Sequence, residues 1–107
     1  MSFLIEEPSY VSVNATADGD NEIIAAVSGK RIMVLGYMLA GTTTGTVALQ
    51  DTAGSPVVHA RIRVGADGSG AAYGGPAPAF TTASGTGVEI SNPTGNDTFG
   101  HVTYRIL

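Results

Sequence analysis

Val57-Val58-His59-Ala60-Arg61-Ile62-Arg63-Val64 alternates without a break. Val58, Ala60, Ile62 and Val64 fall on one side and Val57, His59, Arg61 and Arg63 on the other, the two-residue period of a β-strand with one buried face. The turn residues Ala53-Gly54-Ser55-Pro56 precede it, and before them residues 46–51 repeat the pattern, with Val47 and Leu49 opposite Thr46, Ala48 and Gln50. Residues 31–40 extend the reading with a difference. Ile32, Val34, Gly36 and Met38 share one face and Met33, Leu35, Tyr37 and Leu39 the other, so both faces are apolar and the strand is expected to be covered on both sides.

Working outward, residues 10–14 alternate around Val11 and Val13, and the polar run Asp18-Gly19-Asp20-Asn21 is expected to end that strand. Residues 22–28 read as a second strand, closed by a Gly29-Lys30 turn. Downstream, residues 65–70 read as a turn, and residues 71–79, rich in Gly and Pro, are expected to hold no regular ladder. Phe80-Thr81-Thr82 forms a short strand, residues 87–91 another, and residues 98–106 the last, after a turn begun by Asn92-Pro93. Nowhere do apolar residues recur at helical spacing with helix caps. The expectation is an all-β chain of about eight short strands, an antiparallel β-sandwich of jelly-roll-like form. It occupies residues 10–107 as a single domain, preceded by an arm at residues 1–9 whose Phe3, Leu4 and Ile5 are suited to reach a neighbour.

Composition narrows the function. The 107 residues hold five Lys plus Arg against nine Asp plus Glu, a formal charge of −4, and the charged share of 13% is about half that of ordinary soluble domains. An acidic chain with one Lys has few cations to exchange for phosphate counterions, so neither nucleic acid nor an anionic membrane is an expected partner. Without Cys there is no disulfide, thiolate metal site or cysteine nucleophile. The first eight residues carry three consecutive apolar side chains and two acids, which is not the pattern of a signal peptide.

The catalytic inventory is thin. His59 and His101 are the only histidines, and no Gly-x-Ser-x-Gly elbow accompanies them. Asp18, Asp20 and Glu22 alternate, yet lack the glycine and the distal glutamate of a calcium loop. Gly29-Lys30-Arg31 lacks the spacing of a phosphate-binding loop. The sequons Asn14-Ala15-Thr16 and Asn96-Asp97-Thr98 carry meaning only on a secretory route. No enzyme, metal, cofactor or small-molecule substrate is therefore expected. The concentrated basic feature is His59, Arg61 and Arg63, a solvated face or one that meets an acidic neighbour. Low charge together with strands apolar on both faces favours association with copies of the chain or with a larger scaffold.

The runs at residues 22–37, 45–51, 80–90 and 101–104 resemble, in that order, small structural proteins of tailed-bacteriophage virions, of the head decoration or cement type. The resemblance implies a homotrimeric antiparallel β-sandwich made in the host cytoplasm and bound to the major capsid protein on the outer head surface. Where relatives of this type carry Asn-Pro and a Trp-Phe pair, this chain has Tyr73-Gly74-Gly75-Pro76-Ala77-Pro78-Ala79-Phe80, and only Phe80 matches. The candidate interface residues are Phe3, Leu4, Ile5, Met33, Tyr37, His59, Arg61, Arg63 and Phe80. The alternative is a fibre or tail-appendage domain that binds a host-surface glycan, with Tyr73 as its contact.

Overall fold

The computed structural model describes residues 8–107, all of them in strands, turns and loops. Nine strands follow in order: β1 (Ser9–Ala15), β2 (Gly19–Ile24), β3 (Ile32–Gly41), β4 (Gly45–Asp51), β5 (Val58–Val64), β6 (Gly70–Gly74), β7 (Phe80–Thr81), β8 (Val88–Asn92) and β9 (Thr98–Ile106). They form a β-sandwich. One sheet has the order β1-β9-β3-β6, with β7 also paired to β3; the other has the order β2-β8-β4-β5. The pairing is antiparallel and nested: β1 with β9, β2 with β8, β3 with β6 and β7, β4 with β5. The chain is thus one long hairpin wound upon itself, crossing between the sheets as it goes.

The core lies between the sheets and is aliphatic. Val13, Ile32, Val34, Leu39 and Val102 come from the first sheet; Ile24, Val47, Leu49, Ile62, Val64, Val88 and Ile90 come from the second. Each such side chain contributes roughly 1.5–3 kcal/mol by leaving water, and a chain without disulfides has no covalent substitute for them. The expected arm at residues 1–9 lies almost wholly outside the described residues, and Phe3, Leu4 and Ile5 fall there. Ser9 already belongs to β1, opposite Tyr104.

Four local expectations are corrected. β1 does end ahead of the run Asp18-Gly19-Asp20-Asn21, at Ala15, but Gly19, Asp20 and Asn21 already belong to β2, which begins at Gly19 and stops at Ile24, short of residue 28. The Asn21 side chain explains the early start: its Nδ2 donates to the carbonyls of Ala17 and Gly19 at 2.9 and 3.0 Å, and its Oδ1 accepts from the Ala17 amide. This ties the turn from inside the strand, work that an asparagine does as readily as a turn residue proper.

Residues 71–79 were expected to hold no ladder, yet Gly70–Gly74 pairs with β3 from Ala40 to Gly36. The small side chains permit it. A Cβ on Gly70 would overlap the Leu39 carbonyl oxygen, so glycine lets the two backbones meet. The preceding turn is held by Asp67, which accepts from the Ser69 amide at 3.1 Å and from the Ser69 hydroxyl. Those bonds keep the Asp67 carboxyl below the ordinary aspartate range.

The even alternation of residues 31–40 and 57–64 is also broken. In β3 the register against β9 shifts between Val34 and Gly36, which makes Leu35 the extra residue of a β-bulge. The inward set is therefore Ile32 and Val34 before the bulge, then Tyr37 and Leu39 after it. In β5 the register against β4 shifts where Ala60 faces Leu49 and Val58 faces Gln50, leaving His59 as the extra residue. Arg61 and Arg63 remain exposed, as the alternation requires, while His59 leaves their company and is half-buried.

Candidate functional site

The bulge in β5 turns the His59 ring onto Phe80, with ring centroids 4.5 Å apart and planes within 1° of parallel. His59 Nε2 lies 3.8 Å from Asp51 Oδ2 and has no hydrogen-bond partner. Asp51, at the end of β4 and only 2% exposed, uses Oδ1 to accept from the amides of Ala53 and Val57 at 3.2 and 3.1 Å. A His beside a buried carboxylate is the beginning of a catalytic constellation, but a nucleophile and an open site must accompany it. Here the carboxylate shapes the loop between β4 and β5, and the imidazole packs between sheets. Neither residue lines the groove of Leu35, Tyr37 and Tyr73 or the one of Met38, Leu39 and Gly70 on the first sheet. Among the described residues no three His, Asp or Glu converge as metal ligands would.

The outer face of the first sheet is of another kind. Cross-strand register places Tyr10 beside Thr103, Phe99 beside Ala40, His101 beside Met38 and Arg105 beside Met33. Tyr10, Met38 and Phe99 are 73, 51 and 42% exposed. No carboxylate lies on this face among the described residues, and its formal charge is that of Arg105, whose Nε is buried without a hydrogen-bond partner. Ser12, Asn14, His101 and Thr103 share the face, so the exposed apolar side chains stand among polar ones. Met33 belongs to this face. Tyr37, inward after the bulge, stacks on Tyr73 at 6.1 Å beside a shallow groove of about 260 Å³ that Leu35, Gly74 and His101 also line. The Tyr73 hydroxyl donates to the Ala77 carbonyl at 2.9 Å, which holds the residue 71–79 loop against its own strand.

The outer face of the second sheet is charged and divided. Asp20 and Glu22 project from β2, Glu89 from β8, Gln50 and Ala48 from β4, and Arg61 and Arg63 from β5. Glu89 sits directly opposite Glu22 and is 8% exposed. Burial raises its carboxyl above the ordinary glutamate value; the Gln50 side chain pulls it back down, and the charges of Asp20, Asp51 and Glu22 push it further up. A carboxyl that holds its proton more tightly when folded favours the fold at pH below its ordinary value, and that advantage is lost as pH rises through the raised value. Glu89→Gln is therefore expected to be as stable as the parent or more so at pH 7, and to flatten the fall in stability between those two values. Urea denaturation at stepped pH measures both, and a Glu89→Gln protein with the parent's pH slope contradicts the assignment.

Of the candidate interface residues the fold brings together His59 and Phe80 in one stack and sets Arg61 and Arg63 on one edge; Met33 lies on the opposite sheet. The residues that sequence reasoning left out are Tyr10, Met38 and Phe99. Alternation sets Met38 on a face without indicating which face stays uncovered, and the reading of residues 98–106 gives Phe99 no face. No protein-family model matches the chain, and neither a curated protein nor a solved structure shows significant similarity to it.

Proposed function

We propose that this chain is a non-enzymatic structural protein of a tailed-phage head, a homotrimer that decorates the outer capsid surface and braces the shell. The observation that carries the reading is the exposure of Tyr10, Met38 and Phe99 on the outer face of the first sheet, a face without a carboxylate among the described residues. On a shell, that face would be covered by the major capsid protein, with Arg105 reaching an acceptor there. Three further features support it. The nested pairing of first strand with last, second with next to last, and so inward is consistent with a jelly roll, an architecture frequent in viral capsid domains. The order of motifs resembles decoration proteins. A brace needs many modest contacts repeated by symmetry and no chemistry, which suits a chain whose His–Asp pair is buried in packing.

The test is binding to emptied, expanded heads of the parent virion. The wild-type protein should saturate them at a fixed ratio, and Met38→Glu with Phe99→Glu should weaken binding at least tenfold while thermal stability stays within a few degrees, because both side chains are already wet in the free chain. Unchanged binding by the double variant would contradict the role of this face. Specific glycan recognition abolished by Tyr73→Ala would favour the fibre reading instead. The Tyr37–Tyr73 groove is the observation behind that alternative, and its 260 Å³ is below the size of ordinary ligand pockets.

A further inference from the structure

We infer that copies of this chain join head to tail through the two edges of the second sheet, the Arg61–Arg63 edge of one copy against the Asp20–Glu22 edge of the next. The inference rests on the homotrimer reading and names its subunit contact. Both edges are open: β2 and β5 are the outermost strands of the order β2-β8-β4-β5. Both carry exposed charge of one sign on the same outward face. The register puts one charge of each sign in a single row, because Asp20 faces Ser91, Ser91 faces Ala48 and Ala48 faces Arg61, whereas the Glu22 row runs through Glu89 and Gln50 to Val58. Across a single sheet Asp20 and Arg61 are three strand spacings apart, about 14 Å. That exceeds both ion-pair distance and the screening length of physiological salt, so the opposite charges of one chain are too distant to neutralise each other. A neighbouring copy removes the separation.

The strand directions fit as well. Successive antiparallel pairings leave β5 antiparallel to β2, so a copy displaced along the sheet presents β2 to β5 in an antiparallel sense. Exposed Val57, just before β5, and Val58, its first residue, add apolar contact to the ionic one. Such a contact uses two different surfaces of each protomer, and a contact of that kind closes into a ring under rotation, a three-fold rotation giving the trimer. Carboxylate crowding supports the assignment. Glu22 and Glu89 oppose each other directly, and the described residues place no cation in an ion pair with either. A neighbouring copy slid by two residues along the strand sets Arg61 beside Glu22 and Arg63 beside Asp20, and the guanidinium groups offset that repulsion.

Sedimentation at 50 and 500 mM salt tests the contact with three proteins: Arg61→Glu with Arg63→Glu, Asp20→Arg with Glu22→Arg, and the chain carrying all four changes. All four side chains are exposed, and far-ultraviolet dichroism with a thermal melt checks that each protein folds. The expected result is at least a tenfold loss of association in either double variant, weaker association of the wild type at high salt, and recovery in the fourfold variant, whose edges again match with signs exchanged. Double variants that remain trimers overturn this contact and leave the homotrimer reading standing. A charge-dependent, swap-restored assembly of another stoichiometry supports the contact and overturns the trimer. Loss in both doubles without recovery in the fourfold variant overturns the pairing of these edges.

Discussion

Asn96→Ala is expected to lose about 3 kcal/mol of stability and to melt roughly 10–25 °C below the parent. Asn96 is wholly buried in the turn between β8 and β9 and joins three parts of the chain. Its Oδ1 accepts from the amides of Thr42 and Thr43, both at 3.1 Å, and from the Thr43 hydroxyl at 3.3 Å. Its Nδ2 donates to Thr98 Oγ1 at 3.0 Å and to Asn92 Oδ1 at 3.3 Å. Thr98 in turn donates to Asn92 Oδ1 at 2.7 Å, and Asn92 donates to the Ala15 carbonyl at 2.9 Å. Alanine leaves the Thr43 amide without its acceptor and opens a void inside a polar cluster, whereas the Thr42 amide keeps the Asp97 carbonyl. Exposed Asn14, on the outward side of β1, is the control and should change stability by less than about 0.5 kcal/mol as alanine. Equilibrium urea unfolding measures both, and a loss under about 1 kcal/mol for Asn96→Ala would contradict the role of the cluster. The same burial closes the Asn96-Asp97-Thr98 sequon to modification in the folded chain.

Gly100→Ala is expected to cost about 4 kcal/mol or to prevent folding altogether. Gly100 lies in β9 between its partners Val13 of β1 and Leu39 of β3, with φ +144°, a conformation that L side chains rarely adopt. A Cβ there would overlap the Met38 carbonyl oxygen, a backbone atom fixed by the ladder, so the overlap cannot be relieved by turning a side chain. Strain and overpacking each add roughly 1–3 kcal/mol. Gly54→Ala is the contrasting substitution: nothing lies within 4 Å of a Cβ at Gly54, and alanine should be neutral or slightly stabilising. Denaturation curves for the two variants decide the point. If Gly100→Ala loses less than about 1 kcal/mol, β9 is not held as described.

The β class and most strand positions were legible because period-two alternation records a buried face directly, as Ile62 and Val64 do opposite Arg61 and Arg63. Bulges escaped because they need no signature residue: Leu35 and His59 have ordinary strand chemistry, and only the partner strand's register makes them extra. That is why Gly36 and Met38 read as sharing a face with Ile32 and Val34, and why His59 reads as grouped with the two arginines. The ladder at Gly70–Gly74 escaped because its stability lies in close backbone approach, which a Gly-Ala run permits without announcing it. Asn96 reads in sequence as a turn residue, and only the fold shows it buried beside Asn92 and Thr98. The exposed face around Met38 and Phe99 escaped for a different reason: alternation tells two faces apart but cannot tell which one a second layer of the same chain will cover.

Sedimentation equilibrium of the wild-type protein at micromolar concentration tests the claim of working in company most directly. A homotrimer gives a species of about 32 kDa, three times the 10.8 kDa chain. A persistent 10.8 kDa species at low salt would contradict it.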